Sequence, residues 1–327
     1  MKPEVSVCIP VYNHEMYLAK CIQSVLEQSF QDFEVFVVDD CSIDRSVEIA
    51  KSFDDPRIHL MRNTRNLGLA GNWNKCVSIT KSKFVQILHA DDFLLRDHLK
   101  LEYKMISNDE RIGYVHSACW IVDDRDQAKA VHKPFPSDFV VTGSEAFKEH
   151  IFGNYVACPT VLVRRECYTK LGAFDPKLFF ALDWDMWLRI ELAGYRVGYL
   201  ARPQLCYRFG HKKAATTFAL KSPAWLVFEE YKALRKTLSD SRVGRIADPN
   251  NLSTEVILRH VSSRVYYLLR QLREFHDPIR PLLQLMYWVA IAKKMHLLSK
   301  STCMIVYSLI LALLHGIGDE NAAHVAV

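Results

Sequence analysis

Short apolar runs alternate with segments of helical period along the first ninety residues of the chain. Val5 to Ile9 is an apolar run that ends at Pro10 and reads as a buried strand. Asn13 then offers a helix cap, and Leu18, Ile22, Val25 and Leu26 recur at helical spacing. Glu34 to Val38 predicts a second buried strand, ending in Asp39-Asp40, with Ser42 placed to cap the next helix. Ile58 to Met61 predicts a third strand, residues 69–80 a helix, and Phe84 to Leu88 a fourth strand ending in His89-Ala90-Asp91-Asp92. This alternation implies an α/β fold with a mostly parallel, doubly wound sheet and flanking helices. In such sheets a ligand sits at the carboxyl ends of the strands, where polar residues cluster here after strands one, two and four.

Beyond residue 110 the pattern is less regular. Gly113 to Val122 and Val161 to Val163 read as strands, and Asp183 to Ala193 as an amphipathic helix. From about residue 222 the chain reads as helical throughout, with Leu258, Val261, Val265, Leu268 and Leu272 in one stripe. The expected boundary lies in the 212–222 stretch, giving a domain over 1–215 and a helical region over 216–327. Cys303 to Leu314 is apolar except for Tyr307 and Ser308. It falls short of the roughly 20 residues a membrane-spanning helix needs, so a buried helix is expected. The basic Lys293, Lys294, His296 and Lys300 before it leave a peripheral membrane contact open, and a homodimer contact is the other reading of these helices.

Composition narrows the class. Half of the 327 residues are hydrophobic and 24% are charged, which suits a globular protein. A net charge of +5 fits an anionic ligand or membrane surface and lacks a nucleic-acid footprint. Nine cysteines without a CxxC pair argue against a disulfide framework or a zinc site, and for free, mostly buried thiols in a reducing cytoplasm. The start, MKPEVSVCIPVYN, has no apolar run of signal-peptide length. A cytoplasmic location, or the inner face of the plasma membrane, is the expectation.

The chemistry concentrates in two acidic strand ends. Hard divalent cations such as Mg²⁺ or Mn²⁺ take oxygen ligands and share them with substrate phosphates. One Asp-Asp pair alone reads more simply as a cap. Asp39-Asp40 and Asp91-Asp92 facing one crevice, however, are costly unless a cation or hydrogen-bond donors compensate.

The order of these motifs resembles the inverting, family-2-type glycosyltransferases with the GT-A fold. That family shows a strand, P-x-Y-N, a helix with S-V-L-x-Q, then V-D-D-x-S-x-D. These stand here as Pro10, Tyr12, Asn13, Ser24-Val25-Leu26, Gln28, Val38-Asp39-Asp40, Ser42 and Asp44. Asn66 and Gly68 form its N-x-G, HADD stands at its D-x-D-D metal motif, and LDWDMWLR resembles its E-D-x-x-L-W-x-R helix. The resemblance covers roughly residues 4–211 and leaves the helical C-terminus aside.

By motif match, the resemblance implies a donor-binding set of Pro10, Val11, Tyr12, Asn13, Asp39, Asp40, Asn66, Gly68, His89, Ala90 and Asp91. Asp40 would accept from the pyrimidine N3–H, with Asp39 as the nearby alternative. Asp91, Asp92 and His211 would serve a Mn²⁺ or Mg²⁺ ion, and Asp183 would be the general base. Two positions depart from the family: His89 replaces the first Asp of D-x-D, and Leu182 the Glu of E-D. Asp185 rivals Asp183, but two residues apart on a helix point to different faces. Trp120, Trp184 and Trp187 read as core or wall residues before sugar-stacking ones. The implied reaction moves a sugar from a UDP- or dTDP-sugar to a glycan or lipid-linked acceptor. Two alternatives are an inactive nucleotide-sugar-binding module in a glycan-assembly complex and a nucleotidyltransferase. The second normally needs a Gly-rich basic loop after the first strand, where PVYNHE stands here.

Overall fold

The computed structural model describes residues 2–210, 223–248, 251–252 and 256. Four parallel strands form one half of the sheet: β1 (Val5–Val11), β2 (Phe33–Asp39), β3 (Ile58–Arg62) and β4 (Phe84–Ile87). Helices α1 (Leu18–Leu26), α2 (Ser46–Lys51) and α3 (Gly68–Ile79) make the crossovers, as the alternation predicts. Leu18, Ile22 and Val25 are fully buried, and Leu26 packs against the same core as Val7, Ile9 and Val35.

The other half is mixed. It contains β5 (Phe93–Leu94), β6 (Ile112–Val122), β7 (Ala128–His132), β8 (Phe139–Val141), β9 (Leu162–Arg164) and β10 (Arg196–Arg208). The sheet runs β3-β2-β1-β4-β9-β6-β10-β5, with β7 beside β6 and β8 beside β10. Helix α4 (His98–Ser107) follows β5. Helices α5 (Gly143–His150), α6 (Arg165–Leu171) and α7 (Leu182–Leu192) complete this half, and α8 (Pro223–Leu238) comes later in the chain. A capping box starts α5: Thr142 Oγ1 accepts the Glu145 N–H, and Glu145 Oε2 accepts the Thr142 N–H.

Three local expectations change. Asn13 caps no helix, because α1 begins at Leu18. It adopts a left-handed φ of 58°, donates its N–H to Ser42 Oγ and accepts the Ile43 N–H, tying the loop after β1 to the loop after β2. Ser42 is therefore a loop tie as well. Helix α7 is not amphipathic: of its eleven residues only Asp183 and Arg189 escape full burial. It packs against α5 and α6 and has no solvent face, so one-sided polarity has nothing to serve.

The eight described cysteines are free, and all but Cys41 are buried. The chain divides into two units, residues 1–221 with 229–247, and residues 222–228 with 248–327. The expected boundary at 212–222, the Leu258–Leu272 stripe, Lys293 to Lys300, Cys303–Leu314 and His211 lie outside the described residues apart from His211's neighbours up to Gly210. Among the described residues, no helix is long and apolar enough to cross a membrane.

Candidate active site

At the carboxyl end of β2, Asp39 and Asp40 divide two tasks. Asp39 accepts the Ser42 N–H and pairs with Arg62 Nε at 3.1 Å, so it holds its own loop. Asp40 Oδ1 accepts Asn63 Nδ2 and the Leu67 N–H, both at 2.8 Å, and its Oδ2 accepts the Gly68 N–H at 3.0 Å. That carboxylate thus sits at the N-terminus of α3, where the helix dipole favours a negative group. Asn66 Oδ1 also accepts the Gly68 N–H, and Gly68 takes a left-handed φ of 73° that a side chain would strain. Pro10, Val11, Tyr12, Asp40, Asn66 and Gly68 all line one cleft of about 760 Å³, whereas Asn13 and Asp39 do not line it.

The same cleft reaches His89, Ala90 and Asp91 after β4. Asp92 is turned inward and buried. His89 stacks on Trp73, with ring centroids 5.2 Å apart, and its Nδ1 lies 3.5 Å from Asp92 Oδ2. The antiparallel pairing of β5 with β10 brings Arg208 to this turn. The Arg208 N–H donates to Asp92 Oδ1 at 2.7 Å, and its guanidinium donates to the Asp91 carbonyl at 2.9 Å and to the Asp123 carbonyl at 2.6 Å. Burial, then the charge of Asp91, raises the Asp92 carboxyl against the pull of His89 and of the Arg208 N–H. Burial works against a charged His89 ring, but its bond to Asp92 and the charges of Asp92, Asp91 and Asp183 outweigh it, so His89 is raised.

Candidate ligand atoms of His89, Asp91 and Asp92 lie within 4.8 Å of one another. Asp92 Oδ2 is buried with only the 3.5 Å approach of His89 Nδ1, and His89 Nε2 is buried without a hydrogen-bond partner, an arrangement that a cation would satisfy. Two carboxylates and one imidazole suit Mn²⁺ somewhat better than Mg²⁺, which prefers oxygen alone.

The third wall comes from α7. Asp183 lines the cleft; Asp185 is buried and pairs with Arg189 at 2.8 Å and Lys236 at 2.9 Å. Burial pushes the Asp183 carboxyl up to about 6, against the Trp184 N–H, the charge of His89 and the Asn154 amide, all of which pull it down. Leu182 is buried at the cleft wall, so the acid of that pair is Asp183 alone. Trp184 and Trp187 are buried, and Trp120, although 40% exposed, does not line the cleft. Arg189 donates to the carbonyls of Leu171, Gly172 and Ala173 and so closes the C-terminal end of α6.

Two residues here escape a reading of the sequence: Arg208, which holds the Asp91-Asp92 turn, and Asn154, which touches Asp183. Both contacts join distant parts of the chain, beyond the reach of any local pattern.

The pattern that defines Glycosyl transferase family 2 matches residues 6–168. An uncharacterized glycosyltransferase of Methanocaldococcus jannaschii is 31% identical over 215 residues, spanning 64% of this chain and 72% of that protein. A putative teichuronic acid biosynthesis glycosyltransferase of Bacillus subtilis is 27% identical over 237 residues, spanning 71% of this chain and 90% of that protein. Among solved structures, S. aureus TarS in complex with UDP-GlcNAc superimposes with a TM-score of 0.67 at 18% identity, over 88% of this chain and 79% of that one. A mannosyltransferase from Pyrobaculum calidifontis in complex with GDP-Man and Mn²⁺ gives 0.56 at 19% identity, over 98% of this chain and 88% of that one. These likenesses carry the GT-A type of fold.

Proposed function

Because the chain belongs to glycosyl transferase family 2, we propose that it moves one sugar, with inversion, from a UDP- or dTDP-sugar to a hydroxyl of a glycan or lipid-linked glycan. The observation that carries this reading is one cleft lined at the same time by Asp40, Asp91 and Asp183. Asp40 Oδ2 accepts from a base that offers N–H at the matching position, as the N3–H of uracil or thymine does. Asp91, with His89 and Asp92 behind it, would hold a divalent cation for the donor diphosphate. Such an ion stabilises the charge that gathers on the departing nucleoside diphosphate.

Asp183 takes the proton of the acceptor hydroxyl. The acceptor oxygen bonds to the anomeric carbon from the face opposite the diphosphate. The bond to the diphosphate oxygen breaks with its electron pair, and the configuration inverts. A carboxyl raised to about 6 is well suited to this, because it is ionised at neutral pH and more basic than an ordinary carboxylate. Support for a divalent ion comes from the Mn²⁺ of the mannosyltransferase neighbour, and support for glycan assembly from the teichuronic acid relative.

The test is a thermal-shift screen of UDP-, dTDP- and GDP-sugars with and without Mn²⁺. A specific donor at 100 times its Kd stabilises the fold by about 2.7 kcal/mol. A uridine or thymidine donor that shifts melting only with Mn²⁺, and loses that shift in Asp91→Ala, supports the reading. Binding without turnover points instead to an inactive nucleotide-sugar-binding module.

A further inference from the structure

Behind Asp183 runs a chain of polar groups that the transfer reaction leaves unused, from Asn154 at the exposed rim of the cleft to the buried His150 and Glu191. Asp183 Oδ2 accepts Asn154 Nδ2 at 3.3 Å. Asn154 Oδ1 accepts the Val156 backbone N–H at 3.1 Å and faces His150 Nε2, also at 3.1 Å. A backbone N–H can only donate, so the Val156 contact fixes which end of the amide is oxygen. That turns the Asn154 N–H towards Asp183 and requires a hydrogen on His150 Nε2.

The other ring nitrogen, His150 Nδ1, lies 2.7 Å from Glu191 Oε1, which also receives the Tyr114 hydroxyl at 2.6 Å. Two donors converging on one oxygen suit an ionised carboxylate. Both ring nitrogens then face acceptors, which describes an imidazolium. His150 and Glu191 have no exposed side-chain surface, and a buried charge persists only when it is paired and hydrogen-bonded.

The backbone favours the same charge. His150 is the last residue of α5, whose C-terminal carbonyls attract a cation. Its ring lies against that of Tyr155, tilted by 32° with centroids 4.4 Å apart, and Tyr155 in turn lines the cleft. The titratable groups around the ring are Glu191 from α7, Tyr114 and His116 from β6, Tyr155 and, through Asn154, Asp183. Burial, then the charges of His150 and His132, hold His116 well below the usual histidine range, so it does not compete for the proton.

We propose that His150, locked as a cation by Glu191, and Asn154 form a positioning relay that aims the Asp183 carboxylate at the acceptor and keeps it ionised. The relay rests on the reading of Asp183 as the base. It binds no substrate and moves no proton during transfer. The charge of His150 already lowers Asp183 against the burial that raises it.

The test uses the full-length protein with ¹⁵N-labelled histidine and ¹³C-labelled aspartate carboxyl groups. The ¹⁵N spectrum at pH 7 should show hydrogen on both nitrogens of His150. In His150→Gln the Asp183 carboxyl should titrate about one pH unit higher, the size of shift a nearby opposite charge produces. Asn154→Ala, which leaves the buried His150–Glu191 pair in place, should raise it by a smaller amount and serves if His150→Gln does not fold. A neutral His150 ring, or an Asp183 midpoint unmoved in the variants that fold, overturns the relay. The control is Asp183→Asn. Transfer surviving in that variant removes the base reading, while the His150 spectrum still decides the charge of the ring.

Discussion

Replacing Asp183 by Asn should abolish transfer and yet make the metal-free protein more stable. Its carboxyl is raised from 3.8 to about 6, chiefly by burial. A carboxyl whose folded value exceeds its unfolded value binds its proton more tightly when folded. Stability is therefore greatest below the unfolded value and falls as pH rises through the folded one. By pH 7 the loss is complete, and a shift of about two units corresponds to roughly 3 kcal/mol. Asp183 keeps some contact with solvent at the cleft, which reduces that figure. The substitution also puts at risk the 3.3 Å bond from Asn154, while Asn Oδ1 can keep the 2.7 Å bond from the Trp184 N–H. A net gain of about 1–2 kcal/mol remains. In a chain of this size that is a rise of about 2–8 °C in Tm. Urea and thermal unfolding in EDTA, at several pH values from about 7 down to about 3, would measure it. The gain should shrink as the pH falls through about 6 and vanish only below the unfolded value of 3.8, where the carboxyl is protonated in both states. A variant no more stable at pH 7, or one whose gain ignores pH, refutes the picture of a desolvated carboxylate held at a cost for function.

The same carboxyl sets a pH limit on the rate: kcat should fall about tenfold per unit once the pH drops below the Asp183 midpoint, measured on the donor found by the screen. Arg208→Ala removes the guanidinium from the Asp91 and Asp123 carbonyls, and Mn²⁺ affinity measured by titration calorimetry should weaken by about 10–100-fold. Unchanged affinity would show that the turn holds its shape without Arg208. Gly143→Ala should destabilise by about 1–3 kcal/mol in urea, because a Cβ there would meet the Glu191 carbonyl oxygen at 2.4 Å and the Tyr195 carbonyl oxygen at 2.5 Å. Both contacts are backbone atoms and cannot swing aside, so an unperturbed midpoint would contradict the close packing of α5 on α7.

The sequence by itself determined the parallel half of the sheet. Val5–Ile9, Glu34–Val38 and Phe84–Leu88 are largely apolar runs of strand length, and the crossovers between them follow from helical period. It also determined which acids end those strands, since strand ends in a parallel sheet converge on one edge. What it left undecided was which acid of each pair faces the cleft. Asp40 and Asp91 line it while Asp39 and Asp92 turn into loops and core, a choice made by Arg62, Ser42 and Arg208 from elsewhere in the chain. On α7 the helical twist alone separates Asp183 from Asp185, but only packing shows that Arg189 and Lys236 neutralise the second. Asn154, His150 and Glu191 have no motif at all. Their link to Asp183 exists because α5 ends beside α7, and a contact between residues 29 to 41 positions apart leaves no periodic trace in the chain.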